Sequence, residues 1–179
     1  SENYLREKTG KLLNWYAEHK RILPWRSDPS PYHVWLSEIM LQQTRVEAVK
    51  DYYERFLREI PDIAALAEAE EERLLKLWEG LGYYSRIRNM QKAARMIMQE
   101  YAGVLPDSYE ELLRLPGIGS YTAGAISSIA YGKAVPAVDG NVLRVLARSE
   151  KDARDISEAA TKKAVFAQQY ASLPSAHLC

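Results

Sequence analysis

Apolar residues recur at helical spacing along nearly the whole chain. Leu5, Leu12, Leu13 and Tyr16 form a stripe near the N-terminus, and Val34, Ile39, Met40 and Leu41 belong to a second, more buried helix. Val49, Tyr52, Tyr53, Phe56 and Leu57 line a third, stopped by Pro61. Leu74, Leu75, Leu77 and Trp78 make a fourth, closed by Gly80 and Gly82. A fifth carries Ile87, Met90, Ala94, Ile97, Met98 and Tyr101 and ends at Gly103. Ser108 and Glu111 then stand at capping-box spacing and open another helix. The acidic run Glu68, Glu70, Glu71, Glu72 reads as the solvated start of a helix, and the polar, alanine-rich stretch Ser149 to Ala171 as one further helix. Only Lys133 to Val138 has strand character, and it is short and interrupted by Pro136. The pattern predicts an all-α fold with no internal repeat.

Composition narrows what such a fold can do. A chain of 179 residues that is 47% hydrophobic can bury a core, as one domain or two small lobes. Lys and Arg together number 24, as do Asp and Glu, so the formal net charge is zero. Coating a nucleic acid by bulk electrostatics is thereby excluded, and any contact with DNA has to be local. The one cysteine, Cys179, allows no disulfide within the chain, which fits a reducing compartment. With no signal-peptide pattern and no apolar run long enough for a bilayer, the expectation is a cytoplasmic protein without a membrane partner.

Chemistry concentrates between Leu115 and Val142. Leu112, Leu113 and Leu115 close an amphipathic helix and Pro116 forbids its continuation. Gly117 and Gly119 permit backbone angles that a Cβ would penalise, and a new helix starts near Ser120. The free N–H groups of the turn and of that helix make an anion site suited to a DNA phosphate, although an ordinary helical corner has the same residues. Downstream, Asp139 precedes the helix of Asn141 to Ala147, as an N-cap, a reacting carboxylate, or both. Glu38 lies among Val34, Trp35, Leu36, Ile39, Met40 and Leu41, where a carboxylate must be paired, neutral or functional; Arg26 is one available partner. Arg88, Lys92 and Arg95 share a helical face, as a phosphate stripe or simply a solvated surface.

Four blocks carry a resemblance: LPWR at Leu23 to Arg26, SEIMLQQT at Ser37 to Thr44, GLGYYSR at Gly80 to Arg86, and LPGIGSYTAG through VDGNV. Together they resemble the helix-hairpin-helix DNA glycosylase superfamily, and within it the A/G-specific adenine DNA glycosylases, over roughly residues 10 to 148. The resemblance implies two helical lobes with the active site in the cleft between them. One is a six-helix lobe over 24–132 that holds the hairpin, and the other combines 1–23 with 133–179. It implies that Glu38 protonates the leaving adenine, that Asp139 stabilises or traps the sugar cation, and that Tyr121 and Asn141 orient Asp139. Bifunctional relatives resembling endonuclease III place a lysine where Tyr121 stands. A phenol forms no Schiff base, so lyase activity by that route is not expected. Gln43 and Tyr83 become residues inserted into the duplex when a base is flipped out, Gln42 and Tyr84 being adjacent and able to share the role. Thr44 is placed near the opposing base, with Arg26, Leu81, Gly117, Gly119 and Ser120 also on the DNA side and a monovalent cation at the hairpin.

The departures matter as well. Family members of this kind bind a 4Fe–4S cluster through four cysteines, and Cys179 alone cannot hold one. Either the cluster has been dispensed with or the sequence is cut in that region, and no bound cluster is expected in this chain. The family's C-terminal domain that inspects 8-oxoguanine is also missing, so discrimination of the damaged partner is expected to be weaker. The expectation is a monomeric, monofunctional glycosylase that removes adenine mispaired with 8-oxoguanine or guanine in duplex DNA. A thymine or uracil mismatch glycosylase of the same fold, or a catalytically impaired DNA-binding remnant, are the alternatives.

Overall fold

The computed structural model describes residues 2–150 and 153–172, with side chains placed over 9–150 and 153–169. Among the described residues eleven helices follow one another: α1 Glu2–His19, α2 Pro24–Ser27, α3 Pro31–Leu41, α4 Val46–Glu59, α5 Ile63–Glu68, α6 Glu71–Trp78, α7 Ser85–Glu100, α8 Tyr109–Leu112, α9 Ser120–Ala125, α10 Gly140–Glu150 and α11 Ala159–Ser172. A π-helical turn, Ile126–Ala130, continues α9. The described residues contain no strand, and Lys133 to Val138 runs as extended loop. No helix among them is long and apolar enough to cross a membrane.

The helix starts follow local chemistry. Pro24 and Pro31 occupy the first turns of α2 and α3, where a missing N–H costs nothing. Ser108 caps α8 through the Glu111 amide at 3.4 Å, but its own hydroxyl donates to Glu110 at 3.0 Å, so the reciprocal half of the capping box is not made with Glu111. Two short helices in the 24–132 region, α2 and α5, add to the six expected. Asp62 caps α5 by accepting from Ala65 N–H at 2.8 Å, and six residues are too few for a periodic apolar pattern to show. The acidic run is consequently divided: Glu68 ends α5, while Glu71 and Glu72 open α6.

The stretch from Ser149 to Ala171 is not one helix. α10 stops at Glu150 and α11 begins at Ala159; between them Asp155 accepts from both the amide and the hydroxyl of Ser157, a local turn that competes with helix. Several apolar side chains read as inward also face out: Met98 is 40% exposed and Leu113 is 42% exposed. The α1 stripe is largely solvent-facing at Leu12, Leu13 and Tyr16, while the side chain of Leu5 lies outside the described residues.

A contiguous core runs from Leu23 to Ile126 and includes Trp35, Phe56 and Trp78, the last two packed edge to face at 5.9 Å. Helix α3 is central, packed on α4, α9 and the π-helical turn, with Trp35, Leu36 and Met40 fully buried. Such a helix is apolar nearly all round because neighbours cover most of its circumference. Beyond Ile126 the buried apolar side chains are sparse: Val135, Leu143 and Val165 among the described residues.

One backbone contact steers the chain after α9. Gly132, with φ +63°, reverses direction after the π-helical turn, and the extended segment returns along α9 until the Pro136 carbonyl meets Gly124. A Cβ on residue 124 would lie 2.4 Å from that oxygen. Gly124→Ala is therefore expected to destabilise by about 1–3 kcal/mol, the usual cost of overpacking. Gly119→Ser, at a helix N-cap with open space around it, should stay within about 0.5 kcal/mol of the parent. Urea unfolding of both variants measures the contrast.

Candidate active site

A cleft of about 950 Å³ opens where α3, α9 and the start of α10 converge, and Glu38, Tyr121, Asp139 and Asn141 all line it. Glu38 comes from the middle of α3, on the strip of that helix left uncovered by its neighbours. Burial is the main influence on its carboxyl and pushes the pKa above the usual carboxylate value. Tyr121 works against this through a hydrogen bond, and the negative charge of Asp139 works with it. Tyr121 is itself held protonated by burial first, then by the Glu38 and Asp139 charges, so its hydroxyl is the donor in that bond. The resemblance implies that Tyr121 orients Asp139; in the cleft its hydroxyl acts on the Glu38 carboxyl and feels the charges of both carboxyl groups. The salt bridge considered between Glu38 and Arg26 is not formed. Arg26 donates to the Arg21 carbonyl at 2.9 Å and lies 5.5 Å over the Tyr16 ring.

Asp139 is the N-cap of α10. One carboxylate oxygen accepts from Asn141 N–H at 2.9 Å and Val142 N–H at 2.8 Å, and its carbonyl takes the first α10 amide bond from Leu143 at 3.0 Å. It therefore caps α10 while facing the cleft. The second oxygen accepts from the Asn141 side-chain amide at 3.1 Å, and the Arg144 guanidinium donates in turn to the Asn141 oxygen, fixing which way that amide points. Arg144 went unmarked in the sequence; its position three residues after Asn141 on the predicted helix is the signal that could have found it.

Two loops edge this region. Gln43, exposed, and Tyr83, 66% exposed, both have left-handed backbones at φ 59° and 47°. Such angles cost non-glycine residues about 1–2 kcal/mol each, and in folded proteins they collect at functional sites. Gln42 and Gln43 line the cleft along with Arg26. Thr44 is half-buried beside them and donates to the Gln42 carbonyl at 3.4 Å. Tyr84 is partly exposed at the start of α7. Leu81 departs from its expected place on the DNA side: its side chain is 7% exposed and belongs to the core.

At the hairpin, Gly117 has φ +78° and a Cβ there would lie 2.9 Å from that of Asn89, so glycine is required. Gly119 differs from expectation, since its φ of −93° and ψ of −178° are ordinary extended values. Ser120 begins α9, exposed next to Gly119 and Gly117, as the anion-site reading needs. The stripe on α7 is partly committed elsewhere: Arg88 pairs with Glu71 at 2.6 Å and Arg95 donates to the Ala67 carbonyl at 3.0 Å.

A cluster of four irons needs four thiolates, and the sequence holds one, Cys179, outside the described residues. No group of three or more His, Cys, Asp or Glu that could hold a metal ion occurs among the described residues. The residues of this chain do not fit such a cluster.

Comparison with known proteins agrees with this architecture. Residues 36–167 match the family described as HhH-GPD superfamily base excision DNA repair protein. The chain is 51% identical over 146 residues to an adenine DNA glycosylase of Mus musculus, covering 76% of this chain and 28% of that protein. It is 46% identical over 138 residues to one from Buchnera aphidicola subsp. Baizongia pistaciae, covering 76% and 39%. It thus spans well under half the length of these relatives. Among solved structures, a thermostable thymine-DNA glycosylase superposes with a TM-score of 0.85 at 24% identity, covering 95% of this chain and 78% of the other. A non-covalent endonuclease III–DNA complex gives 0.80 at 21%, covering 97% and 78%. With the family matched over most of its length and the same all-helical fold, the chain belongs to the HhH-GPD superfamily of base excision DNA repair proteins.

Proposed function

We propose that the protein is a monofunctional adenine DNA glycosylase, acting as a monomer on duplex DNA in which adenine faces 8-oxoguanine or guanine. The observation that carries this reading is the pairing of a desolvated Glu38 with a helix-capping Asp139 in one cleft. Rupture of a purine N-glycosidic bond leaves positive charge on the sugar and an electron pair on the base. Each of the two carboxyl groups serves one side of that bond. Glu38, whose hold on a proton burial strengthens, gives its proton to the departing adenine at N7. Asp139, oriented by three N–H donors, stabilises the cation at C1′ or bonds to it until water arrives. No step runs through an iron–sulfur cluster, and Tyr121 in the lysine position leaves no amine there for strand cleavage.

The adenine DNA glycosylases to which the chain is similar support this choice of base. A thymine mismatch activity would leave the raised pKa of Glu38 without a use. Single-turnover assays on A:8-oxoguanine, A:G and T:G duplexes separate the two. Adenine release is expected from the first two and is expected to fall at least about 100-fold in Asp139→Asn, the scale of losing one charge-stabilising group. No release from either adenine duplex would sink the reading.

The pH dependence follows from the sign of the Glu38 shift. An acid with a raised pKa is active below that pKa, so the single-turnover rate should hold on the acid side and fall as pH rises through it. Glu38→Gln should abolish this limb and lose roughly 10²–10⁴ in rate. Tyr121→Phe removes the bond that lowers the Glu38 pKa, so the falling limb should move to higher pH. Stability runs the opposite way to activity. A carboxyl whose folded pKa exceeds its unfolded one costs stability at high pH and nothing below the unfolded value, so Glu38→Gln should melt higher than the parent at pH 8 and alike near pH 4. Equal melting temperatures at both pH values would show that Glu38 is not strained by burial.

A further inference from the structure

The loops that carry Gln43 and Tyr83, both left-handed, meet at one guanidinium. Nη1 of Arg86 donates to the carbonyls of Ile39 at 2.9 Å, Met40 at 3.3 Å and Gln42 at 2.6 Å, the C-terminal end of α3 and the residue just before Gln43. Nη2 donates to the carbonyls of Leu81 at 3.0 Å and Gly82 at 3.1 Å, the two residues just before Tyr83. The same group stands 5.4 Å from the Trp78 ring and 5.8 Å from the Tyr83 ring. Its Nε is buried and unpartnered. Both terminal nitrogens are thus engaged by protein carbonyls from segments far apart in sequence.

Each strained residue follows a carbonyl that Arg86 holds. A guanidinium is flat, permanently charged and double-ended, so one nitrogen can serve the α3 terminus while the other serves the 80–83 turn at a fixed spacing. A lysine ammonium is a single point and cannot reach both sets. We propose that Arg86 is the positioning residue that sets Gln43 and Tyr83 as one rigid two-pronged wedge, so that they enter the duplex together when the base is extruded. The inference rests on the proposed glycosylase reading and assigns Arg86 no contact with DNA or with the reacting atoms.

Arg86→Lys tests it, with substrates that differ only in the work of extrusion. Adenine opposite guanine must be pulled from a pair, whereas adenine opposite an abasic site has no partner to leave. The variant is expected to lose about 10- to 100-fold in single-turnover rate on the first, the scale of misplacing a group by an ångström, and less than about threefold on the second. Equal losses on both substrates would show a merely structural clip and overturn the proposal, as would no loss on either. Extrusion is also read without bond cleavage, as the rise in fluorescence of 2-aminopurine opposite guanine. A wild-type protein that raises this signal but releases no adenine defeats the proposed reaction alone, whereas an identical rise in Arg86→Lys defeats the role of Arg86. Should Arg86→Lys melt before assay, Gln43→Ala, Tyr83→Ala and their combination give the answer with Arg86 intact. If the prongs act as a unit, the double variant extrudes no more than about threefold worse than the poorer single one; independent, multiplying losses overturn the proposal.

Discussion

The Pro136 carbonyl lies where a side chain on residue 124 would have to begin, and that close approach decides where Asp139 can be. Helix α9 runs directly out of the glycine hairpin, and the chain must reverse through the π-helical turn and return along it before α10 starts. Because Gly124 has no Cβ, the returning segment packs backbone to backbone, with Val135 and Pro136 buried. Asp139 is then delivered three residues later to the same cleft as Glu38. A bulkier residue at 124 would push the segment away and separate the two carboxyl groups.

Within that frame the two carboxyl groups are kept different by their surroundings. Asp139 receives three N–H donors from the first residues of α10, which fix both of its carboxylate oxygens. Glu38 has burial on α3 and the neighbouring negative charge, both favouring its neutral form, with Tyr121 as a moderating donor. The proposed reaction asks the first to stabilise positive charge and the second to deliver a proton, with no change of fold between them. Tyr121, leaving the hairpin on α9, faces the cleft with both carboxyl groups.

The opposite edge of the cleft depends on a different device. Arg86 gathers five carbonyls from two distant loops, and the left-handed residues that follow them are those with the strongest reason to meet a duplex. It lies at the end of a motif visible in the sequence, yet nothing in GLGYYSR says that its arginine faces inward to backbone oxygens instead of outward to phosphates.

Most helices, their order and their stops could be read from periodicity, prolines and glycines, because those signals act within a few residues. Glu38 and Asp139 stood out as candidates for a related reason, since a carboxylate amid apolar neighbours or ahead of a helix is conspicuous locally, whereas Tyr121 and Asn141 were named only through the family resemblance; the structure brings all four to one cleft. Short helices such as α5, the break between α10 and α11, the core placement of Leu81 and the ordinary backbone of Gly119 were not legible; each depends on which surfaces are covered by distant parts of the chain. Which donor serves which acceptor was decided only in three dimensions. Arg26 turns away from Glu38, and Arg86 joins loops that the sequence keeps far apart, because hydrogen bonds are set by distances of about 3 Å that no linear spacing encodes.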